Sequence, residues 1–415
     1  MGTVRLEGLS VRLDPTNVER SVLARAAGAR RHCFNFAVAA IRENHLQWQV
    51  QKAAGFAKAD RVRPLSAIDL EGRWRRERPA WSGEVSSWVF SFACRDAAQA
   101  CRNFLAGRAH LPRFAKKGRT RERFTVAGRD IRLEAGWVSI PEVGRVRIAG
   151  ACPAQARLRR LMRRGRARFV SGTVSRHADG SWWLSLKVGR QVASPVEHVS
   201  AEGPAVGIDR GVKVTAVVAT ADAVAVDVLA ARRRRRAAQV ALGRSQRQAA
   251  RRYQRGRRIE EQSAGWRAAQ ARIGRLHAKV ARQRANDLHA FTRRLTDTHA
   301  TIVIEMLATK NLMANRHLAG AIADQGWGEL ARHLAYKTQR RGGQILSAPR
   351  TFPSSKTCAR CGWVRSKLSL DERTYRCDRC GHVADRDVNA AATLAAWGEH
   401  TLGRCPCVAQ VRDPN

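Results

Sequence analysis

The sequence predicts an α/β domain in its C-terminal half, preceded by a β-rich domain that carries a helical insertion. Two patterns lead to this fold class. Short strand-like runs dominate residues 124–192, whereas from residue 204 three such runs are followed by alternating helical and β-branched segments. Hydrophobic residues make up 44% of the 415 residues, which is enough for a sizeable core. We therefore expect a folded chain of about two or three domains rather than a disordered basic segment.

The N-terminal half indicates a small β-barrel or sandwich with helices inserted near its start. Residues 4–13 alternate between apolar and polar side chains as a strand does, and residues 16–50 and 88–105 have apolar positions at helical spacing. Six short strand-like runs follow, and Asp179-Gly180 between two of them predicts a hairpin turn.

The C-terminal half has the element order of an RNase H-like domain. Strand-like runs at 205–209, 214–220 and 224–229 are followed by a long basic helical stretch. A β-branched run at 301–305, a helix, a further strand and an Ala-rich helix at 387–397 complete the order β-β-β-α-β-α-β-α. An insertion lies before the last helix, so the predicted domain is interrupted in sequence.

These patterns divide the chain into five predicted segments. They are a β-barrel domain at 1–15 and 110–200, a helical insertion at 16–109, an RNase H-like domain at 204–350 and 383–400, a cysteine-rich insertion at 351–382 and a tail at 401–415. No apolar signal-type run opens the sequence, and its most apolar stretch contains Asp222 and Asp227. We expect a cytoplasmic protein with no membrane partner, and the oligomeric state stays open.

The net charge of the chain is strongly positive. The sequence has 77 Lys and Arg against 34 Asp and Glu, a net charge of +43. Self-repulsion of this size destabilises a compact fold unless a polyanion neutralises it, and each phosphate contact also releases counterions. Nucleic acid is the expected partner, and an acidic membrane surface is the alternative.

Four cysteines have the spacing of a structural zinc site. They form two C-x2-C pairs separated by fifteen residues, namely Cys358, Cys361, Cys377 and Cys380. Two such pairs offer four thiolates to one tetrahedral Zn²⁺ and leave no position open for catalysis. The alternatives are four unrelated buried cysteines, or His382 in place of one thiol.

Three carboxylates lie where side chains project from the edge of a sheet. Asp209 and Glu305 each end an apolar strand, and Asp387 begins the last helix. Each acid alone is more typical of a strand end or a helix cap. Together, on elements in this order, they predict a site for two Mg²⁺ ions about 4 Å apart that hydrolyses phosphodiesters. Asp385 competes with Asp387 for the third position, because a helix N-cap suits either residue.

Several basic residues are candidates for phosphate contacts. They are Lys116 and Lys117 in a loop, Arg373 and Arg376 between the cysteine pairs, and the run Arg232, Arg233, Arg234, Arg235 and Arg236. A solvated helix face is the alternative for the arginine run, but local acids are few there.

These residues resemble a known family, the transposon-encoded TnpB endonucleases and their relatives, the compact type V CRISPR effectors. The resemblance covers about Ala205 to Trp397. It is carried by Gly207-Ile-Asp-Arg-Gly-Val-Lys, Ile302-Val-Ile-Glu-Met-Leu-Ala-Thr-Lys-Asn-Leu, Pro353-Ser-Ser-Lys-Thr-Cys-Ala-Arg-Cys-Gly and Asp385-Arg-Asp-Val-Asn-Ala-Ala.

The resemblance to this family also implies domain types and nucleic-acid partners that residue patterns alone do not. The C-terminal domain would be a RuvC-like nuclease with an inserted zinc ribbon, and its third acid would be Asp387. The N-terminal half would be a wedge-type barrel with a recognition insertion. A guide RNA would select target double-stranded DNA beside a short protein-read motif, and a basic channel would hold the heteroduplex through its backbone.

Two other functions stay open at this point. One is a catalytically silent RNA-guided regulator that binds DNA, which would lack a working carboxylate set. The other is a protein-only transposase or resolvase with an RNase H-like fold. A purely structural zinc-ribbon RNA-binding protein would not need three acids on these elements.

Overall fold

The computed structural model describes residues 3–150, 153–192, 203–369 and 371–404. Proximity of Cα atoms divides the chain into two compact units. The first unit comprises residues 1–193 and 248–275, and the second comprises residues 194–247 and 276–415. From residue 405 onward, the predicted tail lies outside the described residues. No helix in the described ranges is both long and apolar enough to cross a membrane.

The first unit contains most of the elements that alternation and helical spacing predict. Its strands are β1 (Thr3–Leu13), β2 (Arg123–Ala127), β3 (Arg132–Leu133), β4 (Trp137–Ile140), β5 (Gly144–Arg147), β6 (Ala167–Arg176) and β7 (Trp182–Val192). Its helices are α1 (Asn17–Ala53), α2 (Ala67–Glu77), α3 (Ser87–Leu105) and α4 (Pro153–Arg163). Sequence patterns did not predict α2 and α4, which are both short. α4 has four arginines and no acid, whereas α2 has three arginines and three acids.

Two antiparallel sheets and a helical layer form the first unit. One sheet has the order β1-β7-β6-β2, and the other has the order β3-β4-β5. Their apolar faces share one core, which Leu23 of α1 and Val89 of α3 join. A capping box begins α1: Thr16 Oγ1 accepts the Glu19 N–H at 3.3 Å, and a Glu19 carboxylate oxygen accepts the Thr16 N–H at 2.8 Å.

The second unit follows the predicted element order. Its strands are β8 (Val206–Asp209), β9 (Val214–Thr220), β10 (Ala225–Ala230), β11 (Thr301–Glu305), β12 (Gln344–Ala348), β13 (Thr374–Arg376) and β14 (Val383–Asp385). Its helices are α5 (Arg234–Arg252), α6 (Ala264–Thr298), α7 (Thr309–Leu312), α8 (Ala319–Gln325), α9 (Trp327–Arg340) and α10 (Arg386–Thr401). The basic stretch thus forms two helices, α5 and α6. The end of α5, the connection and the start of α6 lie within residues 248–275, which belong to the first unit.

A five-stranded sheet with helices on both faces is the framework of the second unit. The strand order is β10-β9-β8-β11-β12. Strands β8, β11 and β12 are parallel to one another, whereas β9 pairs antiparallel with both β8 and β10. On one face, Val206 and Ile208 share a core with α6 and α9. On the other face, α10 contacts the sheet so closely that a Cβ at Gly207 would collide with the Ala391 carbonyl oxygen. Only glycine permits this approach.

Candidate active site and zinc site

Two carboxylates leave the same edge of the five-stranded sheet. Asp209 is the last residue of β8, and Glu305 is the last residue of β11. The two strands are parallel neighbours in which Ile208 pairs with Ile304. Because parallel strands end at one edge of a sheet, the next residue of each strand places its carboxyl group beside the other. The two carboxyl groups are close enough that the charge of Glu305 raises the pKa of Asp209.

The third predicted acid reaches this edge from α10. Asp387 lies in the first turn of α10 and is half-buried, and its charge acts on Asp209. Asp385 is exposed and has a different task, because its Oδ1 atom accepts the N–H groups of Asp387 at 2.9 Å and Val388 at 3.1 Å. Asp385 is therefore the N-cap of α10.

Burial raises the pKa of all three acids, and the charges of neighbouring acids raise it further at Asp209 and Asp387. The pKa of Asp209 lies well above its ordinary value, because of burial first and then the charges of Glu305 and Asp387. Burial also raises the pKa of Glu305, although the Arg210 charge opposes it. For Asp387 the causes of a raised pKa are burial and then Asp385. Three ionised carboxylates at this edge would thus be stabilised by a bound cation, and oxygen ligands suit Mg²⁺.

One buried cation, Arg210, adjoins the acids, and no sequence pattern predicts its role. A guanidinium nitrogen of Arg210 donates to the carbonyl oxygen of Glu305. Its Nε atom is buried and has no hydrogen-bond partner in the described ranges. Burial lowers the pKa of Arg210, while Glu305 and Asp209 oppose that shift. This side chain holds the end of β11 next to β8. An arginine beside an aspartate has no diagnostic spacing, so only the fold reveals it.

A cavity of about 610 Å³ lies in the second unit. Its lining includes Lys213 from the β8–β9 connection and Arg233, Arg235 and Arg236 at the start of α5. The predicted run of five arginines is therefore divided: three line this cavity, whereas Arg234 binds the carboxylate of Asp287 through Nε at 2.8 Å and Nη2 at 2.5 Å.

The other predicted phosphate contacts lie on the surfaces of both units. Lys116 and Lys117 are exposed in the first unit, where Lys117 Nζ lies 3.7 Å from a Glu260 carboxylate oxygen. Arg373 and Arg376 are exposed in the second unit. Only Arg373 adjoins the acids, since its positive charge lowers the pKa of Asp387 against the effect of burial.

The four predicted zinc ligands come together. Their Sγ atoms all lie within 4.8 Å of one another, with Cys358 and Cys380 at 3.7 Å and Cys361 and Cys377 at 3.6 Å. Tetrahedral Zn²⁺ with Zn–S bonds of about 2.3 Å requires sulfurs about 3.8 Å apart, so the donor set fits the ion. In the described ranges no other set of three or more His, Cys, Asp or Glu side chains is this tight, and the three acids form a more open group.

Two backbone turns shape the cysteine site. The N–H of Gly362 donates to the Cys358 carbonyl at 2.9 Å, and the N–H of Gly381 donates to the Cys377 carbonyl at 3.0 Å. Both glycines have a φ of 71°, a left-handed conformation that other residues adopt at a cost. These turns direct backbone N–H groups at the sulfurs. At Cys377 burial raises the pKa, but the N–H groups of Cys380 and Arg379 outweigh it and lower the pKa to about 7.

Asn389 joins the cysteine site to the helix of Asp387. Its fully buried side chain donates to the Thr357 carbonyl at 2.7 Å and accepts the Ala359 N–H at 3.0 Å. Both partners flank Cys358, so one amide fixes the first cysteine turn to α10. In the sequence, this asparagine stands out only as part of the motif that begins at Asp385.

Three family models match parts of the chain. A helix-turn-helix model matches residues 1–48, an IS605 OrfB model described as "Probable transposase" matches residues 185–316, and a Cas12f1-like TNB domain model matches residues 327–394. The third range contains all four cysteines and Asp387. Within the first range, the described residues form one strand and one helix, β1 and most of α1.

Similar proteins cover nearly the whole chain. A Streptomyces pristinaespiralis protein named "Putative RNA-guided DNA endonuclease" is 31% identical over 93% of this chain and 88% of its own length. An Escherichia coli K12 protein of the same name, InsQ, is 30% identical over 96% of this chain and 94% of its own length.

A solved structure shares the fold at much lower identity. It is the Cas12f1 chain of a cryo-EM complex with sgRNA and target DNA, with a TM-score of 0.52 and 13% identity over 94% of this chain and 99% of that chain. The level of identity to the full-length relatives settles the family. The chain belongs to the TnpB-like family of RNA-guided DNA endonucleases, and it is a nuclease.

Proposed function

We propose that this protein is an RNA-guided, Mg²⁺-dependent DNA endonuclease with one RuvC-like active site. The observation that carries the proposal is the meeting of Asp209, Glu305 and Asp387 at one sheet edge, from β8, β11 and α10. The relatives named as RNA-guided DNA endonucleases support the guide RNA and the DNA target. The net charge of +43 supports a large bound polyanion.

The chain's residues have distinct parts in the proposed reaction. The three carboxylates would hold two Mg²⁺ ions, which lower the pKa of the attacking water and stabilise the leaving oxygen when bound. A cation at Asp209 would compete with a proton, because burial and the neighbouring acids raise the pKa of this residue. Arg210 holds the Glu305 backbone, so the two strand ends keep their spacing.

The domains have separate proposed tasks. The RuvC-like domain at 204–350 and 383–400 would cut the DNA, and the zinc ribbon at 351–382 would hold one structural Zn²⁺. The wedge-type barrel and the recognition insertion at 16–109 would bind guide RNA and the duplex beside a short protein-read motif. We propose that the protein acts in the cytoplasm on double-stranded DNA.

The test is purification of the protein with its co-purifying RNA, followed by cleavage of a matched duplex with and without Mg²⁺. We expect cleavage only with both RNA and Mg²⁺, and complete loss of cutting in Asp209→Asn while RNA still co-purifies. Matched binding without cutting by the unmodified protein would instead indicate a silent regulator. Undiminished cutting after removal of the RNA by ribonuclease would indicate a protein-only enzyme.

A further inference from the structure

One lysine of α9 is hydrogen-bonded to α6 through its ε-amine. Lys337 Nζ donates to the carbonyl oxygen of His289 at 2.8 Å and to Thr292 Oγ1 at 2.7 Å, and both acceptors belong to α6. The Thr292 hydroxyl is fully buried and donates in turn to the Leu288 carbonyl at 2.6 Å. The end of the half-buried Lys337 side chain therefore lies in the contact between the two helices.

The two acceptors match the neutral form of the Lys337 amine. A neutral ε-amine has two N–H groups and one lone pair, whereas the ammonium ion has three N–H groups and no lone pair. Within the described ranges, Lys337 makes no third hydrogen bond. Both N–H groups of the neutral amine are thus satisfied, and its lone pair stays free for a reaction.

The charges around Lys337 also favour the neutral amine. Burial, and then the charges of Arg293 on α6 and Arg340 on α9, lower the pKa of Lys337 to about 8. The rings of His289 and His333 lie in the same contact, and their own pKa values are lowered by burial first and by the charge of Lys337 among other causes. Each of these groups is therefore easier to keep neutral than it would be in water.

The acids on this part of α6 and α9 are paired with other cations. Asp297 lies 3.5 Å from Arg293 and also pairs with Arg341. Glu329 lies 3.8 Å from Arg332. Among the described residues, none of the ion pairs includes Lys337. No carboxylate therefore holds the Lys337 amine in its charged form.

A lysine in this state is a nucleophile at neutral pH. With a pKa of about 8, roughly one Lys337 amine in ten is neutral at pH 7, against roughly one in three thousand at the ordinary pKa of 10.5. Lower basicity weakens the nucleophile, but with the Brønsted slope of about 0.5 that thiols show, this loss is about 20-fold against a gain of about 300-fold. Arg293 and Arg340 would in addition attract a reagent that carries negative charge.

We propose that Lys337 is a modification site whose ε-amine is acylated by an acyl phosphate without the help of an enzyme. The neutral Nζ atom attacks the carbonyl carbon of the donor, a C–N bond forms, and the C–O bond to the phosphate breaks. The phosphate leaves with the proton that the nitrogen gives up. The product amide is uncharged and keeps one N–H group, so at most one of the two hydrogen bonds to α6 survives. The site goes beyond the proposed nuclease function and does not depend on it.

The test is acetylation of the full-length protein, with its co-purifying RNA, by acetyl phosphate over a range of pH. Mass spectrometry of peptides follows Lys337 and two exposed lysines of the second unit, Lys279 and Lys367. At pH 7 we expect Lys337 to react about tenfold faster than either, and its rate to level off above about pH 8 while theirs keep rising. In urea the three rates should converge. An equal or slower reaction of Lys337 in the folded protein would overturn the proposal and leave this residue as a structural link between α6 and α9.

Two matched variants test the recognition of the phosphate group. Arg293→Gln removes a charge that acts on Lys337, whereas Arg332→Gln removes a charge from α9 that acts on His333. We expect Arg293→Gln to slow acetylation of Lys337 by acetyl phosphate about threefold more than acetylation by an uncharged N-hydroxysuccinimide ester, and Arg332→Gln to show no such difference. Arg340→Gln gives the same comparison from α9 should Arg293→Gln fold poorly. Equal slowing with both reagents would overturn the assignment of an acyl phosphate, because the arginine would then act only through the basicity of the amine.

Discussion

The Asn389 side chain donates a hydrogen bond to the carbonyl oxygen of Thr357 at 2.7 Å, in a fully buried position. The same amide accepts the Ala359 N–H at 3.0 Å. Asn389 lies two residues after Asp387 on α10, whereas Thr357 and Ala359 flank the first zinc-site cysteine. The four-cysteine cluster and Asp387 are thus held together by one side chain, without a shared ligand.

Replacement of this amide should uncouple the two sites. We expect Asn389→Ala to lower the free energy of unfolding by about 1–3 kcal/mol, because buried polar groups of the backbone lose their partner. Target cleavage should fall and require more Mg²⁺, while RNA co-purification and the zinc content stay unchanged. Rates measured over a Mg²⁺ titration check this.

The control for Asn389→Ala is Thr393→Val. The Thr393 hydroxyl contacts the same Thr357 carbonyl at 3.2 Å and the Asn389 carbonyl at 2.8 Å, so its loss removes these two contacts but leaves the amide bridge in place. We expect a smaller loss of stability and an unchanged Mg²⁺ requirement. An identical Mg²⁺ requirement in Asn389→Ala and the unmodified protein would contradict the positioning role.

Substitution of Asp385 should affect mainly stability, whereas substitution of Asp387 should affect mainly cutting. Asp385→Ala removes the N-cap of α10, so we expect about 1 kcal/mol lower stability and retained cutting. Asp387→Asn should abolish cutting with little loss of stability, because it removes a buried charge whose ionisation the fold already disfavours. Denaturant unfolding and cleavage assays on both variants check this. The reverse pattern would make Asp385 the third ligand.

Loss of one thiolate should release the zinc ion. We expect Cys377→Ser to reduce the bound zinc from one ion per chain to almost none, measured by elemental analysis after dialysis against a chelator. Because zinc binding supplies folding free energy to such sites, unfolding of the second unit should also begin at a lower temperature. Cys101→Ser is the control, since Cys101 is buried in the helical core of the first unit. Full zinc content in Cys377→Ser would refute the site.

The stability of the second unit should fall in mild acid. Burial lowers the pKa of His333 to about 4, and the neighbouring His289, Arg332 and Lys337 act in the same direction. In the unfolded chain, His333 has its ordinary pKa of 6.5 and binds a proton below that pH. In the folded chain, it binds a proton only near pH 4. Stability is therefore complete above pH 6.5 and declines below it, by on the order of 3 kcal/mol near pH 4.

The test of this pH dependence compares slopes rather than absolute stabilities. His333→Gln should show a flatter decline of the unfolding free energy between pH 6.5 and 4. The residual slope belongs partly to His289, whose ring stacks on His333 at 3.9 Å and whose pKa burial also lowers. The exposed His317→Gln should keep the original slope. Parallel curves for His333→Gln and the unmodified protein would exclude His333 as the cause.

Local patterns predicted which acids end the two parallel strands and which cysteines come together. Asp209 and Glu305 end apolar strands, and the cysteine spacing specifies a four-thiolate cluster before any fold is known. Other features depend on contacts between distant residues. The Asn389 bridge joins residues about 30 positions apart, and the Arg210 contact spans 95 positions.

The run Arg232 to Arg236 shows most clearly what sequence patterns cannot predict. Its five members are identical in sequence, and only the position of Asp287 on α6 separates the paired ones from those in the cavity. Helix α2 was not predicted for a related reason. It is dominated by charged residues and buries only Leu70 and Trp74, so it has too few apolar residues to show helical spacing.

The close contact of Gly207 with α10 has a consequence for how the enzyme is made. β8 is synthesised early in the second unit, but the group of three acids is incomplete until the ribosome has passed residue 387 and α10 can pack against the sheet. A nascent chain therefore lacks the third acid until its last described helix has been made. By the same geometry, a stop codon ahead of α10 would remove more than Asp387. It would also uncover one face of the sheet, because Ala391 and Leu394 of α10 lie in the buried core there.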